Sequence, residues 1–166
     1  MLKVFIGAIV FFILVGCSSQ KSMQIPSTMF QSVNESQAVL IQDGKEKRYC
    51  HMCGMDLVKY YKTSHSAEEN GKNYQYCSLH CLEEHFEQGI ILKNPKVVDV
   101  TSLKFVDASK AFYVVGSKKR GTMSKSSKYA FLNKNDAKAF QAEFDGEIMD
   151  FNGALDKAKE DFKYNN

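Results

Sequence analysis

The chain has 166 residues, 44% of them hydrophobic and 25% charged, which suits one compact domain or two very small ones with a modest core. Its 22 basic and 19 acidic residues leave a formal net charge of +3, evenly mixed along the chain, which argues against a nucleic-acid partner. Trp is absent and Pro occurs only twice, so proline-rich recognition is excluded.

The first element is an export signal. Lys3 supplies a positive start, and Val4 to Val15 is an apolar run interrupted only by Gly7 and Ala8. About a dozen apolar residues are too few for a permanent membrane span and fit the h-region of a secretory signal. The run ends in Leu14-Val15-Gly16-Cys17, which resembles a bacterial lipobox. Residues 1–16 then read as a lipoprotein signal peptide, with Cys17 lipidated and the acyl chains holding the protein on a membrane. Residues 17–36, bearing Ser, Gln and Lys, read as a lipidated tether. The expected location is the periplasmic face of a bacterial membrane.

Beyond the tether, residues 37–104 and 105–166 read as two small halves. Asp43-Gly44 predicts a hairpin between Ala38–Gln42 and Lys45–Tyr49, leading into Cys50. Asp56–Lys62 and Ser64–Glu68 read as strands, and Asn70-Gly71 turns the chain into a strand over Lys72–Tyr76. Ser78 predicts the cap of a helix from Leu79 to Gln88, ended by Gly89, and Lys96–Val100 predicts a returning strand. The second half repeats this order. Ala111–Gly116 is a strand, 117–127 a basic loop, Tyr129–Phe131 a strand, and Asp136–Phe144 a helix capped by Asn135. Asp145-Gly146 turns into a strand over Glu147–Phe151, and a last helix covers Asn152–Phe162. The fold class is therefore α+β: two ββαβ-type halves in tandem after a signal peptide and a flexible tether.

Chemistry concentrates between Cys50 and Cys81. Cys50-His51-Met52-Cys53-Gly54-Met55 opens the stretch and Tyr76-Cys77-Ser78-Leu79-His80-Cys81 closes it. Two residues separate Cys50 from Cys53, letting a tight turn aim both sulfurs at one point. Cys77 and Cys81 are four apart and share one face of a helix. Two such pairs have the spacing of a tetrathiolate metal site. Four thiols outside the cytoplasm have three readings: structural zinc, disulfides, or a soft metal such as Cu(I). Met52 and Met55 flank Cys53, and Met123 lies on a glycine-bearing loop of the other half. Thioether sulfur suits Cu(I) and does little for zinc, which favours copper. His51, between two cysteines, and His80, on the helix with Cys81, are further candidates. No separate acid, base or oxyanion signature accompanies the thiols, so an enzyme is not expected.

The combination resembles the NosL family of exported copper-binding lipoproteins associated with assembly of nitrous oxide reductase. The likeness rests on the lipobox, Cys50-His51-Met52-Cys53-Gly54-Met55, Tyr76-Cys77-Ser78, and the block Ala111–Gly116 followed by Gly121-Thr122-Met123. It implies two related ββαβ halves and copper ligands at Cys53, Met55 and Met123, with Cys50 and Cys77 also matching. It also implies nitrous oxide reductase as the acceptor of the metal. Cys81 departs from the family pattern and, with Cys77, gives the Cys-x₃-Cys ending of TRASH- and YHS-type metal-binding modules. The metal site expected from the sequence is thus Cys50, Cys53, Met55, Cys77, Cys81 and Met123, holding Cu(I), with Zn as the alternative.

Overall fold

The computed structural model describes residues 29–163, so the apolar leader, Cys17 and the start of the tether lie outside the described residues. The first half builds a hairpin from β1 (His65–Glu69) and β2 (Lys72–Tyr76), then α1 (Leu79–Glu87), β3 (Lys93–Val98) and β4 (Phe105–Asp107). The second half builds β5 (Phe112–Val115), β6 (Lys128–Phe131), α2 (Lys134–Phe144), β7 (Glu147–Met149) and finally α3 (Phe151–Lys163).

The two sheets have one topology. In the first, the order is β2-β1-β3-β4, with β1 antiparallel to both neighbours. In the second it is β6-β5-β7, with β5 antiparallel to both neighbours. In each half a hairpin is followed by a helix, and the third strand returns beside the first. This is the expected α+β arrangement of two ββαβ units, with β4 added at one edge and α3 at the end.

One core joins the halves. Tyr76, Leu79, Leu82 and Val97 of the first half share a buried cluster with Tyr113, Ala130, Ala154 and Ala158 of the second. Helix α3 packs on α1, and its contact face carries Ala154 and Ala158, four residues apart and buried. Small side chains at that spacing let the two helices approach closely. A second cluster gathers Val114, Tyr129, Phe131, Ala137 and Phe140 beneath α2. Phe30 joins it from the other end of the chain, 5.2 Å from the Tyr129 ring and 5.8 Å from Phe140. A backbone bridge between Asp99 and Ala130 completes the join. Among the described residues, no helix is long and apolar enough to cross a membrane.

Several elements differ from the sequence expectation. Residues 38–49 form turns rather than a hairpin, with a single bridge between Tyr49 and Asp56. Here glutamine side chains replace strand pairing: Gln75 Oε1 accepts from the Ile41 amide at 2.9 Å, and Gln42 Oε1 accepts from the Gln75 amide at 3.0 Å. The stretch Asp56–Lys62 is also not a strand. The Asp56 carboxylate accepts from the amides of Val58 (2.9 Å) and Lys59 (3.2 Å), starting a tight turn that runs into a 3₁₀ turn at Tyr61–Thr63. A local side-chain acceptor at the first position outcompetes the β-propensity that follows it. The strand expected over Lys96–Val100 begins earlier, at Lys93, and the cap of α2 is Asn133, whose side chain accepts from the Asn135 amide.

Candidate metal centre

Two backbone devices bring the cysteines together. On one side Cys50 donates its amide to the Met55 carbonyl at 2.8 Å, and Gly54 donates to the Cys50 carbonyl at 2.9 Å. Gly54 closes this turn at φ +71°, a conformation that costs glycine nothing. The His51 amide donates to the Gln75 carbonyl at 3.0 Å, which fastens the turn to β2. On the other side Cys77 follows β2 directly. Ser78 caps α1 by accepting the Cys81 amide at 3.3 Å, which places Cys81 in the first turn of that helix.

The sulfurs of Cys50, Cys53, Cys77 and Cys81 all lie within 4.8 Å of one another. Cys53 Sγ is 3.4 Å from Cys77 Sγ, which is 3.8 Å from Cys81 Sγ. All four are free thiols, far outside the roughly 2.05 Å of a disulfide. An ion held tetrahedrally at about 2.3 Å from each sulfur would separate them by roughly 3.8 Å, so the cluster is of metal-binding size. Cys50, Cys77 and Cys81 are buried, and only Cys53 reaches the edge of the cluster.

Electrostatics divides the thiols unequally. Hydrogen bonds from Cys53, Cys77 and Cys81 pull Cys50 well below the ordinary thiol range. Cys53 is raised by its bond to Cys50 but lowered by bonds from Cys77 and Cys81, with a net downward shift. Cys77 and Cys81 are pushed up, chiefly by donating to Cys50 and also through burial. The metal-free cluster therefore keeps protons on the deeper sulfurs, and a bound ion must displace them.

Of the two methionines expected at the site, Met55 is the one placed against the cluster. Met55 Sδ lies 3.9 Å from Cys77 Sγ. Met123 is 41% exposed and lines, with Met55, a cavity of about 410 Å³. The histidines fall elsewhere. His51 packs on Tyr74 and His85, with ring centroids 4.4 and 5.1 Å away, and His80 lines a small recess with Ser78 and Lys128. Among the described residues, neither joins the thiol cluster.

Thr63 holds the two parts of the site in register, and the sequence offered no sign of it. Its hydroxyl is the donor within 2.8 Å of both the Cys77 carbonyl and the Thr122 hydroxyl, with the Tyr60 carbonyl at 3.0 Å. Cys77 and the residue next to Met123 are thus joined through one buried side chain. The far side of the loop is held by Asp161 of α3, which accepts from Ser124 (2.5 Å), the Ser126 amide (3.3 Å) and Lys128 (2.5 Å).

A four-thiol cluster with a thioether 3.9 Å from one of its sulfurs, set on paired ββαβ units, defines a metal-binding protein. Residues 39–157 match the family model NosL, and the chain belongs to the NosL family. Its fold is similar to the crystal structure of the copper chaperone NosL from Shewanella denitrificans, at 24% identity and a TM-score of 0.53. That match covers 67% of this chain and 92% of the other. No curated protein matches the chain.

Proposed function

We propose that this protein is a copper chaperone: it binds Cu(I) at the thiol cluster and passes it to a copper enzyme, nitrous oxide reductase. The observation that carries this reading is the placement of Met55 Sδ 3.9 Å from Cys77 Sγ, a thioether against the four-thiol cluster. Soft neutral and anionic sulfurs together select Cu(I) over harder ions. NosL proteins are copper chaperones and not enzymes, and the neighbour in fold is named as one. Copper is the cargo in this reading. Release proceeds by exchange of one sulfur ligand for another, so no general base is needed. Met123, on an exposed loop beside Met55, supplies a ligand that can leave as the acceptor's arrives. Lipid on Cys17 would hold the protein at the periplasmic face of a membrane, with residues 17–36 as the tether.

A specific observation favours a second reading. Four thiols within 4.8 Å of one another also suit tetrahedral zinc. Metal analysis of protein purified under reducing conditions separates the two. Copper bound one to one, with affinity weakened at least tenfold in Met55→Leu, supports the chaperone. Zinc held by all four cysteines and indifferent to Met55→Leu overturns it. Transfer of ⁶⁵Cu from the loaded protein to metal-free nitrous oxide reductase tests the acceptor.

A further inference from the structure

The loop 117–127 and the segment 59–63 carry Lys59, Lys62, Lys118, Lys119, Arg120 and Lys125, and neither holds an acidic residue. In a chain of 22 basic and 19 acidic residues, this is a local excess of one sign. The structure brings the two segments together at Phe30. Lys62 Nζ lies 4.4 Å from the centre of the Phe30 ring. Lys119 Nζ lies 5.0 Å from the same ring and 4.1 Å from that of Phe144. Ring faces attract cations, so Phe30 gathers two like charges from distant parts of the chain.

The backbone beneath these cations is fixed. The buried Gln31 donates from Nε2 to the carbonyls of Arg120 (2.6 Å) and Gly121 (3.3 Å), and its own carbonyl accepts the Lys62 amide at 3.0 Å. The Tyr129 hydroxyl donates to the same Arg120 carbonyl at 2.6 Å, and the Lys118 amide donates to the Phe144 carbonyl at 2.7 Å. Acidic side chains bordering this face are committed: Glu35 and Asp56 to Arg48, Asp145 to Lys118, and Asp161 to Lys128. Among the described residues, none of Lys59, Lys62, Lys119, Arg120 and Lys125 pairs with a carboxylate. Burial, and then the charge of Lys119, hold Lys62 below the ordinary lysine range. Like charges fixed side by side without a counter-ion from their own chain favour an anionic surface from outside.

This face adjoins the metal centre. Arg120 lines the cavity of about 410 Å³ whose wall also includes Met55, the thioether 3.9 Å from Cys77. We propose that Lys62, Lys119 and Arg120 form the docking face for the protein that takes the metal, and that this acceptor presents carboxylates around its own ligands. This rests on the reading of the protein as a copper carrier. The charges border a cavity rather than a flat surface, which fits a projecting acidic loop of a protein better than a planar lipid headgroup layer. Docking guided by charge at the rim gives fast encounter without tight retention, so the carrier can leave once its ion has passed.

The test uses the full chain loaded with Cu(I), reduced and anaerobic, with metal-free nitrous oxide reductase as the acceptor. The initial transfer rate is followed from about 0.01 M salt, where charges are screened over about 30 Å, to about 1 M, where they are screened over about 3 Å. Wild-type transfer should slow steeply across that range. Lys62→Gln with Lys119→Gln should slow transfer at low salt by about tenfold or more and flatten the salt dependence. Lys62→Arg with Lys119→Arg should keep both the rate and the slope. Loss of Cu(I) to a small uncharged chelator should be the same in all three proteins, and circular dichroism reports retained folding. Equal transfer rates in the wild type and the glutamine variant overturn the docking face and leave the chaperone reading standing. So does a glutamine variant that loses only its binding to phosphatidylglycerol vesicles, which marks the face as lipid-directed. A wild-type chain that loads copper and delivers none overturns the chaperone reading, and the docking face with it.

Discussion

Replacing Thr63 by Val removes one hydroxyl and adds a methyl of similar size. The lost group is the donor facing the Cys77 carbonyl at 2.8 Å, the Thr122 hydroxyl at 2.8 Å and the Tyr60 carbonyl at 3.0 Å, in surroundings where Thr63 and Thr122 are 2% and 3% exposed. An orphaned buried polar group costs about 1–3 kcal/mol, so two of them give roughly 2–6 kcal/mol of lost stability. Chemical denaturation of the metal-free protein, read as a fall in midpoint at constant slope, measures it. Thr122→Val leaves the Thr63–Cys77 bond in place and should cost less, about 1–2 kcal/mol. In the double variant Thr122 no longer leaves an orphan, so the cost should fall short of the sum by about 1 kcal/mol. The functional consequence is a loosened link between the cysteine cluster and the Met123 loop, seen as faster loss of Cu(I) to a soluble chelator. A cost under about 0.5 kcal/mol for Thr63→Val, or strict additivity with Thr122→Val, would refute the role assigned to this hydroxyl.

Two further outcomes are expected. Lys128 and Asp161 pair at 2.5 Å with side chains only 4% and 6% exposed, so Asp161→Ala should cost about 3–5 kcal/mol by leaving a buried ammonium unpaired. Adding Lys128→Met should recover most of that in thermal unfolding, and failure to recover it would point to the Ser124 and Ser126 bonds instead. His65 is buried between the Thr63 carbonyl (3.0 Å) and the Tyr113 hydroxyl (3.2 Å), and burial lowers its pKa to about 3. Its folded value lies below the unfolded one of about 6.5, so its neutral form contributes stability that is complete above that pH. The contribution falls as the pH drops toward 3, and by pH 5 about 2 kcal/mol should be gone. The denaturation midpoint followed from pH 7 to pH 5 checks this. His65→Gln should flatten the profile, and an equally steep decline in that variant would move the effect to other groups.

The thiol cluster was legible because its geometry is local. A Cys-x₂-Cys turn needs only the glycine that follows, and Cys77 and Cys81 share a helix face by period alone, with Ser78 readable as the cap. The paired ββαβ order was legible for a similar reason, since turn residues at Asn70-Gly71 and Asp145-Gly146 punctuate both halves. Reading failed where side chains took over backbone bonding. Gln42 and Gln75 exchange long-range bonds that suppress the Asp43-Gly44 hairpin, and Asp56 turns a β-like run into a cap. No window of sequence contains both partners of the glutamine pair.

What the sequence determined by itself is the chemistry on offer: four thiols at ligand spacing, a thioether beside them, another on a distant loop, and an export-type leader. Those are properties of residue type and short spacing. What only the tertiary structure decided is which of these groups meet. The halves share a core, so the Met123 loop is brought beside Met55, and Thr63 locks it there. Phe30, 99 residues before Tyr129, packs on the second half and draws Met29 over the same opening. Both joins depend on apolar burial across long loops of chain, whose closure is entropic and leaves no periodic mark in the sequence.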